Sequence, residues 1–308
     1  MQDYLYDVEG VKNRPDKSVL KIHSQCPELL LATDVASPEL VKHLELHLNF
    51  GYMFNTYASK YYKYRREGVF CECKCDEDRC TKCFWRDDKV YTDTLCKDLV
   101  NFKNLETLIA RDLKLSTELW IQFARNSKCL EKLTFESEEH VTIGDYDDLQ
   151  FGAYYDEQPP KNAALDAIVK IPTLKHLRFD NVNMRYFPSG PSSIESLYLN
   201  VVDIEKQEYL EENFSYKEVG NLSEFKSKWD ELGFSNSFDL SGHQNLKDVT
   251  IEYIGHIKFS DLHLEKLENL ETFYVHESFM EDEEDEKSLK AISKLPNMRK
   301  YEIKKRRS

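Results

Sequence analysis

Five cysteines stand close together in the segment FCECKCDEDRCTKCFW: Cys71, Cys73, Cys75, Cys80 and Cys83. Scattered core thiols do not cluster so densely. Thiolates are soft ligands, and four of them around one zinc ion make a closed structural site. Cys80 and Cys83, two residues apart in between, can chelate one ion from a tight knuckle. Cys73 with Cys75, or Cys71 with Cys73, can complete the tetrahedron across the polar turn 76–79. The flanks 69–74 and 81–85 would then pair as a hairpin. One structural zinc is therefore the expected cofactor, against an exposed, reduced loop that holds no metal. A working metal-binding or redox-responsive role for the Cys71–Cys83 cluster is the alternative functional expectation. Cys26, Cys96 and Cys129 are expected to pack as small apolar residues.

Other reactive constellations are sparse. His43, Glu45 and His47 share one face of an alternating strand. Neighbours two apart could share an ion, but His43 and His47 stand roughly 13 Å apart at the strand rise. Solvated or partner-facing side chains are expected there. The sequence contains no Gly-x-Ser-x-Gly, no phosphate loop and no metalloprotease helix. A non-catalytic protein is the expectation.

Charge and hydropathy narrow the setting. The net charge of -14 opposes a general phosphate-binding surface, so nucleic acid is not the expected partner. An apolar fraction of 41% supports a sizeable core. The first residues, MQDYLYDVEG, are acidic early and lack the apolar centre of a secretory signal. Apolar runs such as 29–32 are too short to span a bilayer, so no membrane role is expected. A cytoplasmic or nuclear location follows, with thiols rather than disulfides.

The elements that must position any site announce themselves by repetition. Leu105-Glu106-Thr107-Leu108-Ile109-Ala110 is a short apolar strand, 116–126 reads as a helix, and Leu130 to Phe135 repeats the strand. The same apolar-x-x-apolar-x-apolar phrase starts at residues 41, 105, 130, 174, 194, 246, 270 and 298. The gaps between starts are 64, 25, 44, 20, 52, 24 and 28 residues. Such a unit cannot bury both faces alone and implies stacked neighbours. The gaps of 44 and 52 have room for one degenerate repeat each, in 136–173 and 200–245, and the gap of 64 holds the cysteine-rich insertion, 64–97. Helices are expected at 162–170, 221–233 and 287–294; Asn221 to Glu224 forms a capping box, and Pro172 and Pro296 follow the other two.

On these phrases the chain resembles leucine-rich repeat proteins across most of residues 37–305, with units similar to the ribonuclease-inhibitor and F-box-associated types. The resemblance implies an α/β solenoid, a horseshoe with parallel strands on its concave face and helices on its convex face. It makes 1–308 one domain, in which 278–308 supply the last helix, strand and basic tail. It also implies an adaptor or substrate receptor in a ubiquitin-ligase-type complex, although no F-box-like segment precedes the repeats. The consensus turn asparagine is absent: Leu113, Glu138, Val182, Val202, Ile254 and Ser278 stand in its place. An open parallel α/β sheet with helices on both faces is the competing architecture. The Cys-x-Cys-x4-Cys part of the cysteine cluster is similar to the post-SET zinc segment of lysine methyltransferases, but their catalytic motifs are missing.

Strand positions between the apolar ones should line the concave face. Arg111, His176, Arg178, Tyr198 and Tyr274 are the residues expected to meet a protein partner. Three segments lie outside the repeat phrase: the acidic, tyrosine-bearing loop 144–160, the acidic run 281–286 and the basic run 304–307. The first is a projecting contact loop or a flexible insertion. The second complements a helix dipole or forms an acidic tract. The third is a nuclear address or a solubilising terminus.

Overall fold

The computed structural model describes residues 18–24, 38–48, 97–113, 115–137, 143, 162–184, 186–202, 237–254, 259–276 and 283–304. The strands are β1 (Val19–Ser24), β2 (His43–Leu48), β3 (Thr107–Arg111), β4 (Lys132–Glu136), β5 (His176–Asn183) and β6 (Tyr186–Phe187). After them come β7 (Ser196–Val202), β8 (Ser237–Phe238), β9 (Asp248–Tyr253), β10 (Thr272–His276) and β11 (Lys300–Lys304). Nine of these form one parallel sheet in the order β1-β2-β3-β4-β5-β7-β9-β10-β11, while β6 and β8 pair separately. Sheet order is therefore chain order.

That monotonic order opposes the open sheet with helices on both faces, in which right-handed crossovers to the second face require the strand order to reverse. Successive parallel strands joined by crossovers of one hand keep their connections on one side of the sheet. The fold is an α/β arrangement of the solenoid-like kind. It also corrects one expectation. β4 pairs directly with β5 and β7 directly with β9, so neither long gap contributes a hidden strand to this sheet.

The repeat phrase sets the register. Its second apolar residue forms one continuous row that passes from Leu44 through Leu108, Leu133, Leu177, Leu197 and Val249 to Phe273. Side chains alternate across a strand, so β3 and β10 show the same sequence of half-buried and buried positions. The leading residues Val41, Leu105, Leu130, Leu174, Ile194, Leu246 and Leu270 are buried as well. β1 extends this register by one strand beyond the expected repeats, with Leu20 beside Leu44. Lys17 stands where its leading apolar residue would be, and that breaks the phrase in the sequence.

Among the described residues, three α-helices cover the buried face. α1 (Thr117–Asn126) starts at Ser116, whose hydroxyl accepts the Leu119 N–H at 3.2 Å. It buries Leu119, Trp120, Phe123 and Ala124, one stripe of the helix. α2 (Ala163–Val169) is capped by Asn162, which accepts the Leu165 N–H at 3.0 Å. α3 (Glu283–Ile292) begins earlier than the apolar pattern alone indicates, because the acidic residues 283–286 occupy its first turn. The shorter crossovers dispense with an α-helix. The β5–β7 connection uses the two-residue strand β6, and the β9–β10 connection uses two 3-10 turns, Phe259–Leu262 and Leu264–Lys266. The helix expected at 221–233 lies outside the described residues.

Aromatic rings knit the layers beneath the sheet. Trp120 meets Phe135 edge-on at 5.1 Å, Phe135 stacks on Phe179 at 5.3 Å, and Phe179 meets Phe187 edge-on at 6.0 Å. Each such pair adds about 0.5–1.5 kcal/mol beyond its buried area.

The connection from β6 to β7 is latched to the one from β8 to β9. His243 is fully buried, with Nε2 at 2.6 Å from the Pro188 carbonyl and Nδ1 at 2.7 Å from Ser192 Oγ. A carbonyl only accepts, so Nε2 carries the proton; in the neutral ring Nδ1 accepts from the Ser192 hydroxyl. Gly190, at φ +88°, and Gly242 lie back to back where a Cβ has no room.

Two polar ladders hold neighbouring repeats in step. Asn104, Asn245, Asn269 and Asn297, each just before a leading apolar residue, donate to Glu39, Ser192, Gln244 and Glu268 carbonyls at 2.7–2.9 Å. The asparagines thus sit at the opposite end of the phrase from the consensus position, where Leu113, Val182 and Ile254 are buried instead. One residue after the leading apolar, charges pair across strands: Lys42–Glu106, Lys175–Glu131, Lys247–Glu195 and Arg299–Glu271. Exposed pairs of this kind contribute little stability each. The opposite signs within each pair favour one register over its slips.

Candidate functional site

The sheet face opposite the helices carries the candidate site. Parallel registration sorts its side chains into three rows. The first includes His43, Thr107, Lys132, His176, Ser196 and Asp248. The middle row runs Glu45, Ile109, Thr134, Arg178, Tyr198, Thr250 and Tyr274, and ends at Glu302. The third joins His47, Arg111, Glu136, Asp180 and Asn200, with Glu252, His276 and Lys304 on the later strands.

Left-handed residues just after β3 and within β5 bring further polar groups onto the rim. Asp112 and Asn181 have φ of 50° and 58°. Short polar side chains tolerate this conformation. The Ser137 hydroxyl donates to Asp112 Oδ1 at 3.0 Å, and the Asn181 amide donates to the Ser137 carbonyl at 2.8 Å. Asn181 is the extra residue where the pairing of β5 with β7 shifts register.

Arg178 and Tyr198 form the centre. The guanidinium lies 3.6 Å from the ring centroid, on neighbouring strands of the middle row. Arg178 also donates to Asp180, which accepts from the Asn200 amide at 2.8 Å. Burial, the largest single influence, lowers the guanidinium pKa, but the Asp180 hydrogen bond together with the charges of Tyr198, Asp180 and Glu136 leaves it raised. Burial, followed by the Asp180 charge, pushes the Tyr198 hydroxyl above its ordinary value. Both groups keep their pH 7 charge states.

Arg111 organises the other end. It meets Glu136 at 2.6 Å and Glu45 at 3.5 Å, and Lys21 reaches Glu45 from β1 at 2.8 Å. Glu45 is only 8% exposed, which corrects its expected solvation. Two cations on adjacent strands make that burial tolerable. His43 is exposed, and His47 approaches Asp112 at 3.5 Å.

Tyr274 lies two strands from Tyr198, beyond Thr250. Its ring is parallel to that of His276, and Lys304 lies 5.4 Å from its centroid. The Tyr274 hydroxyl bonds the Lys304 ammonium and, with its charge and that of Glu302, raises the lysine pKa. His276 in turn meets Glu252 at 3.4 Å.

Of the residues expected to meet a partner, Arg178 and Tyr198 are in contact, and Tyr274 shares their row. Arg111 and His176 occupy the same face without touching that pair; His176 is exposed in the first row. Lys21, Glu302 and Lys304 also belong to this face, although only a strand at each end of the repeats puts them there. Lys304 has a visible signal: the phrase Met298 to Ile303 puts the next residue on the polar face.

Cys71, Cys73, Cys75, Cys80 and Cys83 lie outside the described residues, as do Cys26, Cys96 and the loop 144–160. Among the described residues, no group of three or more His, Cys, Asp or Glu side chains is placed to hold a metal ion. Cys129 is exposed, against the expectation that it packs in the core. It occupies the place before a leading apolar residue where other repeats carry the outward-facing asparagine. No described helix is long and apolar enough to cross a membrane. No family model matches the chain, and neither a curated protein nor a solved structure does.

Proposed function

We propose that the chain is a leucine-rich-repeat solenoid that recognises another protein through its open sheet face and catalyses no reaction. The observation that carries this reading is the registered triple row of polar and aromatic side chains on nine parallel strands. Such a surface presents evenly spaced anchors of fixed geometry, with tyrosine and arginine near its centre, the residue types most enriched at binding hot spots. Side chains held in register by paired strands need little further ordering on binding. By the F-box-associated resemblance, the setting is an adaptor or substrate receptor of a ubiquitin-ligase complex.

The test is affinity purification with wild type and with a variant carrying Arg178→Ala, Tyr198→Ala and Tyr274→Ala. A partner held by wild type and lost by the variant, while both melt cooperatively, supports the reading. Equal recovery by both proteins moves recognition off this face. Failure of intact wild type to hold any protein removes the reading.

A further inference from the structure

The two tyrosines stand in one row with β9 between them, and Thr250, a small residue, separates their rings. Two strand spacings put them roughly 10 Å apart. Arg178 comes to Tyr198 from β5, and Lys304 comes to Tyr274 from β11, so both cations lie on the outer sides of the pair. Among the described residues, no ring or cation contact occupies the sides that face each other across Thr250. The gap takes one flat side chain.

The floor strand decides what kind. Elsewhere in the middle and third rows every carboxylate meets a lysine or arginine: Glu45, Glu136, Asp180 and Glu302 each have one. On β9 this matching stops. Among the described residues Glu252, in the third row, has its ion pair with His276 at 3.4 Å rather than with a lysine or arginine, although Lys304 feels its charge; Asp248, in the first row, is exposed and has no ion pair. Two carboxylates thus flank Thr250 along the floor, beside two aromatic faces, in a chain of net charge -14.

We infer that this slot takes an arginine side chain from an extended segment of the partner protein. The inference rests on the recognition reading above and specifies its chemistry. The guanidinium repeats on the inner face of a tyrosine the contact that Arg178 already makes on the outer face, and its donors pair with Asp248 and Glu252. Lysine fits less well, because an ammonium is a point charge that cannot lie flat on a ring.

The test uses the full chain and fluorescein-labelled nine-residue peptides with alternating Gly and Ser around three arginines, or lysines, or glutamates. Asp248→Asn with Glu252→Gln is compared with a charge-matched control, Glu118→Gln with Glu286→Gln, on exposed helix positions. The arginine peptide is expected to bind wild type more tightly than the lysine peptide and to leave the glutamate peptide unbound. The floor variant should weaken it about tenfold, Tyr198→Leu and Tyr274→Leu similarly, and the control less than about twofold. Equal weakening by floor and control variants means general electrostatic attraction and overturns the slot. So does the absence of peptide binding, or no preference for arginine. If the partner from affinity purification is lost by the triple variant but kept by the floor variant, the recognition reading stands and the arginine slot falls.

Discussion

Arg178 lies at the centre of the open face, where it joins the ring of Tyr198 to the carboxylate of Asp180. Arg178→Lys keeps the charge but loses the planar stack and the fork of donors, so it is not conservative here. We expect Arg178→Lys to lower stability by less than about 1 kcal/mol, since the group is partly exposed and solvent screens the pair. Partner binding should fall at least about tenfold, as for loss of an interfacial hot spot. Titration calorimetry and thermal melting of the two proteins separate these effects. His243 shows the opposite balance, with its consequences in stability rather than binding. Burial holds its pKa below the ordinary value, against the opposing Pro188 carbonyl and Asp239 charge. The unfolded chain then binds a proton at higher pH than the folded one, so stability is full above the unfolded value of about 6.5 and falls as pH drops below it. Melting curves from pH 8 to pH 5 should show this decline, and His243→Gln should flatten it at the cost of lower stability at pH 8. The cysteine cluster yields a third prediction from spacing alone. Purified protein should carry about one zinc per chain, and chelation should lower its melting temperature. Metal-free protein with five freely alkylated thiols would leave an ordinary loop.

At the scale of elements, the recurring phrase is informative because it combines two requirements, a strand whose alternate residues are buried and a leading residue that plugs the turn. Both follow from local sequence, which is why β2, β3, β4, β5, β7, β9, β10 and β11 are all visible in it. β1 is not, since Lys17 replaces the plug and its remaining pattern is too short to separate from chance. The crossovers are less visible still. A 20-residue unit has too little chain for a helix, so packing against the core selects β6 and its pairing with β8, which no local period reveals. Gly190 and Gly242 belong to the same connections. A Cβ at Gly242 would lie 1.8 Å from the Ser189 carbonyl oxygen, and one at Gly190 would lie 2.7 Å from the Gly242 backbone. Gly242→Ala therefore forces two loops apart and disturbs the His243 latch between them. We expect a loss of about 2–4 kcal/mol. Chemical denaturation measures it; a change below about 0.5 kcal/mol would show that the loops separate freely.

For the molecule as a whole, a sheet whose order is chain order couples each strand chiefly to the next, so stability spreads by nearest neighbours rather than through one shared core. The centre and the end should then respond differently to the same kind of damage. Phe179 is fully buried, with Phe135 on one side and Phe187 on the other, and β5 has a strand on both edges. Among the described residues Tyr301 stacks on Phe273 alone; it stays half-buried and belongs to β11, whose outer edge has no strand partner in the described sheet. Lys300 and Lys304 on that edge strand oppose addition of another strand, because an antiparallel copy would set lysine against lysine. Phe179→Ala should cost about 3–5 kcal/mol and Tyr301→Ala about 1–2 kcal/mol. The sharper difference is in where protection is lost. Hydrogen exchange followed by mass spectrometry should show Tyr301→Ala speeding exchange in 298–304 and in β10 while β2 to β4 keep their rates. Phe179→Ala should speed exchange on both sides of β5. If the terminal substitution instead loosens β2 to β4 as much as β11, the strands unfold as one cooperative block and nearest-neighbour coupling is wrong for this chain.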